Sequence, residues 1–357
     1  MRNIQYYPPL TGIRFVAALL VLIYHYNGSG SGFFFDVMRE GNIGVSMFFV
    51  LSGFLIVNRY SQMHFSGKYL TIFFLKRIFR IFPLYLLLLA GQMMFGKISF
   101  SPIEAMLNVT LLSGFFLPKF VTLISQSWSL TVEETFYLLS PVILWLVKKN
   151  VSLFSIFSLM AFPLVFLFFF HDIFSFNSSF SDLGLTLKQT FPGRFFEFFC
   201  GIFLAMKIPT KTNSSCSGAK TLQSIFFVAV IVVCMVLVKR YEMAGNSLNG
   251  NFSKYLHLFV FPVAISYFYY CLITERTWLS KFLGLNWMQL LGKSSYALYL
   301  IHIGFIAEMI YFHIWENYFF VAVIVIILSI FAYKFFEEPI SRWLHRNIQS
   351  WEKSPST

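Results

Sequence analysis

The sequence predicts an all-α integral membrane protein, a bundle of about ten transmembrane helices with both termini in the cytoplasm. Three observations carry this prediction. Of the 357 residues, 57% are hydrophobic and only 12% charged, unlike a soluble domain. Apolar runs of about 20 residues, enough to cross ~30 Å of hydrocarbon, recur from one end of the chain to the other. The basic residues behind the net charge of +12 gather in alternate short loops, as membrane orientation requires. The charge therefore reports topology: the expected partner is the lipid bilayer, and no nucleic acid is expected.

In chain order the expected spans are 10–27, 42–59, 77–96, 128–147, 151–170, 191–207, 221–239, 254–274, 289–312 and 317–336. A weaker apolar stretch at 103–117, IEAMLNVTLLSGFFL, reads as a re-entrant or interfacial piece. With the N-terminus inside, the inner loops hold Arg59, Lys68, Lys76, Arg77, Arg80, Lys148, Lys149, Lys207, Lys211 and Lys220, then Arg276, Lys281 and Lys293. The outer loops hold fewer: Arg39, Lys97, Lys119, Lys188, Lys239, Arg240 and Lys254. One transmembrane domain is expected over 1–336 and a short cytoplasmic tail over 337–357. No small-residue cleavage site follows the first apolar stretch, so that helix is expected to stay. Cys200, Cys216, Cys234 and Cys271 form no metal-ligand spacing and no H-x-x-x-H pair occurs, so no metal is expected.

Against this apolar background the ionisable residues stand out, because each is costly at membrane depth. On a helix, the 11 residues from Arg14 to His25 turn through roughly 1100° and rise about 16 Å, placing both side chains on one face at opposite ends. Read singly, Arg14 is an interfacial anchor or a buried cation, and His25 an interfacial or a functional ring. GVSMFFVLSGFLI at 44–56 sets Gly44, Ser46, Ser52 and Gly53 among bulky residues, a pattern for close helix approach. Arg77 and Arg80, in LKRIFRIFPLY, share a face at the expected cytoplasmic end of the third span. They are positive-inside anchors or, with Arg14, a forked grip for a polyphosphate.

SWSLTVEETFYLLSP brings two carboxylates, Glu133 and Glu134, to the fourth span, where the default reading is functional. Arg194 and Glu197, in PGRFFEFFCGIFLA, read first as a neutralising i, i+3 pair. His302 lies mid-span, while His64, His171, His257, His313 and His345 lie in or near loops. By the expected topology His25, Glu133, Glu134, Arg194 and Glu197 fall in the outer half, and Arg14, Arg77 and Arg80 in the inner half.

Taken in order with LGKSSYALYLIHIGF and the terminal FEEPISRW, these motifs give the chain its resemblance to acyltransferase family 3 of the membrane-bound O-acyltransferases. The resemblance covers nearly the whole chain and looks like the form without a soluble SGNH-type domain. It implies transfer of an acyl group, usually acetyl from acetyl-CoA, to a hydroxyl of a carbohydrate or glycolipid at a bacterial cytoplasmic membrane. On that footing Arg14, Arg77 and Arg80 are expected to hold the CoA phosphates, and His25 to act as general base on the acceptor. Glu133 or Glu134 is expected to orient His25, and Arg194, Ser52 and Trp128 are candidates for contacting the substrate. Glu337, Glu338, Pro339 and Arg342 are expected to form a helix stop and a cytoplasmic latch. The rival readings are a transporter or flippase of lipid-linked sugars, which would not consume acyl-CoA, and a structural scaffold, which would tolerate neutral replacement of His25 and Glu134.

Overall fold

Two prolines open the first membrane helix, supplying fixed backbone angles where the first turn leaves N–H groups unpaired, and α1 runs Pro8–Tyr26. The structure, a computed structural model, describes residues 6–27, 30–116, 122–169, 183–208, 218–243, 252–314 and 316–353, and these are helical with no strand among them. Cys216, His171, Lys119 and Lys211 lie outside the described residues.

After α1 come α2 (Phe33–Arg39), α3 (Ile43–Tyr60), α4 (Gly67–Phe95), α5 (Pro102–Val109), α6 (Ser127–Lys148), α7 (Leu153–Phe169), α8 (Leu183–Gln189) and α9 (Phe191–Lys207). Then follow α10 (Ala219–Met243), α11 (Phe252–Thr274, with a π turn at Leu256–Val260), α12 (Trp278–Leu283), α13 (Asn286–Lys293), α14 (Ser295–Ile301), α15 (Phe305–His313), α16 (Tyr318–Ala332) and α17 (Glu338–Lys353). Among the described residues six segments are long and apolar enough to cross a membrane alone, and a seventh appears if the α14–α15 pair, bent by 67°, counts as one. The other expected spans also lie on helices. However, α7 and α9 have 17 residues each, a rise of about 25 Å, and α4 carries a run of cations in its first half.

Several expectations change here. The third span begins at Gly67, ten residues before the expected start, so Arg77 sits about 15 Å along α4 and is 5% exposed. It is therefore no terminal anchor. By contrast, the stretch at 103–117, expected as a re-entrant or interfacial piece, holds the eight-residue α5, opened by a Ser101–Glu104 capping box and too short to cross. The turn after it is tied to α6 by Thr131 Oγ1 donating to Leu111 O at 2.6 Å. Pro339 does not stop its helix, because a π turn at Tyr333–Glu337 absorbs its missing donor and α17 continues. Beyond it, Leu344 and Ile348 of α17 bury against Ile72 of α4.

The centre of the bundle is the contact of α3 with α9. A Cβ on Gly53 would stand 2.1 Å from Phe198 O, and one on Gly201 2.0 Å from Val50 O, so both positions need glycine for the backbones to touch. Around this contact Phe198 stacks on Phe49 and Phe136 with ring centroids 4.8 and 4.3 Å apart. The small-residue reading of 44–56 thus holds for the glycines, while its two serines face polar partners.

Candidate active site

Two cavities lie along the bundle, and the charged residues sort between them. The one at the Arg14 end of α1, called inner after the expected orientation, is a narrow slot of about 50 Å³ among α1, α3, α4, α6 and α14, lined by Arg14, Arg77, Arg80, Ser52, Glu133 and Tyr137 among others. Arg14 Nε donates to Ser295 Oγ at 3.4 Å, and its guanidinium lies 6.0 Å from the Phe48 ring. The Arg77 guanidinium faces three rings, Tyr137 at 4.9 Å, Tyr60 at 5.2 Å and Phe73 at 5.6 Å, and its buried Nε has no hydrogen-bond partner. Ring faces hold a cation without consuming its N–H donors, as a carboxylate would. The slot therefore keeps donor capacity for an anion. Glu133 is itself occupied, with Oε1 accepting from Ser52 Oγ at 2.6 Å and from the Tyr137 hydroxyl. Glu337, expected in the latch, interacts electrostatically with Arg80 and Arg14 from below, and its Oε1 is buried without a partner.

The outer cavity is wide, about 510 Å³, within the size range of small-molecule sites. His25, Gln126, Trp128, Arg194 and His257 line it, and Arg39, Lys188, Lys239 and Lys254 outnumber Glu40 and Glu242 around it. Arg194, 4% exposed, has Nε 2.8 Å from Glu197 Oε2 and donates through Nη2 to Ser46 Oγ at 3.2 Å. Because Arg194 supplies that proton, Ser46 is free to donate its own to His257 Nε2, 2.9 Å away. The Arg194 guanidinium also lies over Phe49 at 5.3 Å and Trp128 at 5.9 Å. Ser46 and His257 escaped the sequence reading: the serine looked like packing, and the histidine, 7% exposed on the π turn of α11, looked like a loop residue.

Between the cavities stands a thin wall. Tyr299 and Val45 line both, and the Tyr299 hydroxyl is 2.6 Å from Ser129 Oγ, which donates to Gln126 O at 2.9 Å. Tyr299 and Ser129 were not singled out in the sequence, although both lie inside motifs that were.

This geometry separates residues that the expected topology grouped. Glu133 lies in the slot with Arg14, six residues into α6 and so about 9 Å deep, whereas His25 is the penultimate residue of α1. The rings against His25 are Tyr24 at 4.6 Å and His302 at 5.2 Å, and among the described residues no carboxylate pairs with it. The expected Glu133–His25 contact is thus absent, because depth along one helix did not fix which neighbour lay at that depth. Glu134 lines neither cavity; its Oε1 is buried without a partner, beside the charges of Glu133 and Arg77. Ser52 belongs to the slot, Trp128 and Arg194 to the outer cavity.

A cation-lined slot and a histidine-lined cavity thus lie on either side of a thin wall inside an all-helical bundle. Residues 8–334 match the acyltransferase-3 family, described as an acyltransferase domain, and the chain belongs to that family. It is 24% identical over 378 residues to a Staphylococcus aureus strain COL protein named "Putative O-acetyltransferase", and 23% identical over 374 residues to O-acetyltransferase OatA of S. aureus strain NCTC 8325. Each match covers 96% of this chain and 58% of the relative, so the chain spans less than two thirds of their length. No solved structure matches.

Proposed function

We propose that this protein is a multi-pass O-acyltransferase of a bacterial cytoplasmic membrane, with ten spans and both termini cytoplasmic. It transfers an acyl group, acetyl in the first instance, from acyl-CoA to a hydroxyl of a cell-surface carbohydrate such as O-antigen or exopolysaccharide, free or lipid-linked. Family membership supports acyl transfer. The observation that carries the reading is the placement of Arg14 and His25 on one continuous helix, about 16 Å apart, each in its own cavity.

In this reading Arg14, Arg77 and Arg80 bind the CoA phosphates in the slot, where forked donors suit phosphate oxygens. The thin pantetheine arm reaches past Tyr299, and the acceptor enters the wide outer cavity beside Trp128 and Arg194. His25 takes the proton of the acceptor hydroxyl as its oxygen attacks the thioester carbon. The C–O bond forms, the C–S bond breaks, and His25 returns the proton to the leaving thiolate. Glu133, held by Ser52 and Tyr137, sets the local charge among the arginines, and Glu134 contributes a second buried carboxyl to that charge balance.

The test compares surface polysaccharide from cells making the wild type, His25→Ala or no protein, scoring acyl groups by proton NMR before and after mild alkali. An alkali-labile acyl signal present only with wild type, at equal protein abundance, is the expected result. Equal signals with wild type and His25→Ala would remove His25 from the chemistry. A reporter fused after Thr357 that is active only outside the cytoplasm would overturn the orientation.

A further inference from the structure

His302 is 1% exposed and both its ring nitrogens are defined by their surroundings. Nδ1 is 2.7 Å from the backbone oxygen of Tyr299. A carbonyl oxygen only accepts, so Nδ1 carries the proton and Nε2 is left as a bare lone pair. That Nε2 is buried with no hydrogen-bond partner. A buried acceptor left unmatched costs free energy, so a waiting donor is its natural explanation. The nearest ring is His25, with centroids 5.2 Å apart and planes tilted by 51°. Two imidazoles joined edge to edge by an N–H···N bond of about 2.9 Å hold their centroids roughly 5 Å apart, so rotation of one ring closes the contact without moving a helix.

The backbone around His302 is fixed for this purpose. The helix breaks directly after it, through Gly304 at φ +107°, and the chain turns by 67° into α15. Tyr26, the neighbour of His25, donates its hydroxyl to His302 O at 2.5 Å, and Gln126 Nε2 donates to Leu300 O at 2.7 Å. The break is thus pinned to α1 on one side and to the start of α6 on the other.

We infer that His302 is the positioning partner of His25, the part sequence reasoning had given to a glutamate. Its Nε2 accepts the N–H of His25, which fixes the His25 tautomer and turns the opposite, unprotonated nitrogen toward the acceptor hydroxyl. When His25 takes the hydroxyl proton, the imidazolium keeps its hydrogen bond to His302, and the same proton leaves with the thiolate. His302 neither gains nor loses a proton over the cycle. This inference rests on the proposed role of His25 as base.

The test uses two replacements in the full-length protein. Asn at 302 can keep a donor to Tyr299 O but has nothing at the Nε2 position, whereas Gln can present an oxygen acceptor there. Inverted membrane vesicles are supplied with radiolabelled acetyl-CoA, and alkali-labile label in endogenous glycan is scored per mole of protein. Thermal midpoints are measured on the detergent-extracted protein. We expect His302→Asn to lower maximal turnover by ~10²-fold with donor KM within about twofold and an unchanged midpoint, and His302→Gln to recover at least tenfold of that loss. Wild-type turnover in His302→Asn overturns the inference. So does a Gln variant as poor as Asn, or a loss that tracks a falling midpoint in both. Should His25→Ala keep full turnover, the reading of His25 as base fails; a dead His25→Ala beside a fully active His302→Asn sinks only the role of His302.

Discussion

Replacing Arg194 with alanine tests whether the outer cavity is organised by charge. Arg194 and Glu197 are 4% and 0% exposed, with Nε and Oε2 2.8 Å apart. Removing the cation leaves Glu197 as an uncompensated buried charge, which costs about 3–5 kcal/mol. Ser46 Oγ, 2.9 Å from His257 Nε2, also loses its donor at 3.2 Å. For a chain of this size each kcal/mol moves the midpoint by roughly 2 °C, so the detergent-extracted protein should unfold ~6–10 °C lower, read by size exclusion after a temperature ramp. Glu197→Ala alone should cost about as much, since it strands Arg194. The pair replaced together, Arg194→Met with Glu197→Leu, should recover most of the loss, because apolar groups of similar volume are often neutral in place of a buried ion pair. If Arg194 also contacts the acceptor, the stable double variant will show a raised acceptor KM with turnover otherwise intact. Single variants within about 1 kcal/mol of wild type, or a double variant worse than the two singles summed, would refute this account of the pair.

Three further outcomes follow from the same geometry. Arg77→Lys keeps the charge but loses the flat guanidinium that faces three rings, so donor KM should rise about tenfold with turnover per bound donor preserved; an unchanged donor KM would take Arg77 out of the slot's work. Gly201→Leu should abolish accumulation in the membrane, since even a Cβ would meet Val50 O at 2.0 Å, while Gly67→Ala, with nothing within 4 Å, should accumulate normally by immunoblot. Ser52→Ala combined with Tyr137→Phe strips both donors from Glu133 Oε1 and should weaken donor binding by ~10-fold or more; wild-type donor affinity in that variant would separate Glu133 from the slot.

The sequence was most legible where membrane physics is least forgiving. Among the described residues six segments are long and apolar enough to cross, the expected 289–312 span is broken at 302–304, and the Arg14–His25 spacing survives as one unbroken helix, as a hydrocarbon environment favours. Lateral neighbours were much less legible. Periodicity gives the face and depth of a residue on its own helix, but Glu133 met Arg14 and not His25 because α6 and α1 run at different offsets through the bundle. Helix starts were misjudged where charges lay inside: the cations of α4 resembled a loop, yet α4 already contains them from Gly67 onward. His302 could not be given a partner at all from sequence, since its contact with His25 depends on a helix break at Gly304 that hydropathy does not register.

The two cavities solve different electrostatic problems, and the wall between them follows from that difference. In the slot, aromatic faces steady Arg14 and Arg77 and leave the Arg77 Nε unspent, an arrangement suited to a polyanion that arrives and departs. In the outer cavity, Arg194 is already matched by Glu197 and Ser46, so it shapes the space more than it attracts charge. On the proposed orientation an open channel joining the two would let water connect both faces of the membrane past a row of cations. The Tyr299–Ser129 hydrogen bond, 2.6 Å long, closes that path, with Tyr299 donating to Ser129 Oγ and Ser129 in turn to Gln126 O. On the proposed reading a slender donor arm has to displace only this contact, and a net cost of about 1 kcal/mol for one hydrogen bond is small beside the phosphate contacts that drive the arm in. On that reading the wall would open to a tethered thioester more readily than to free solutes, which bring no binding energy of their own to the slot.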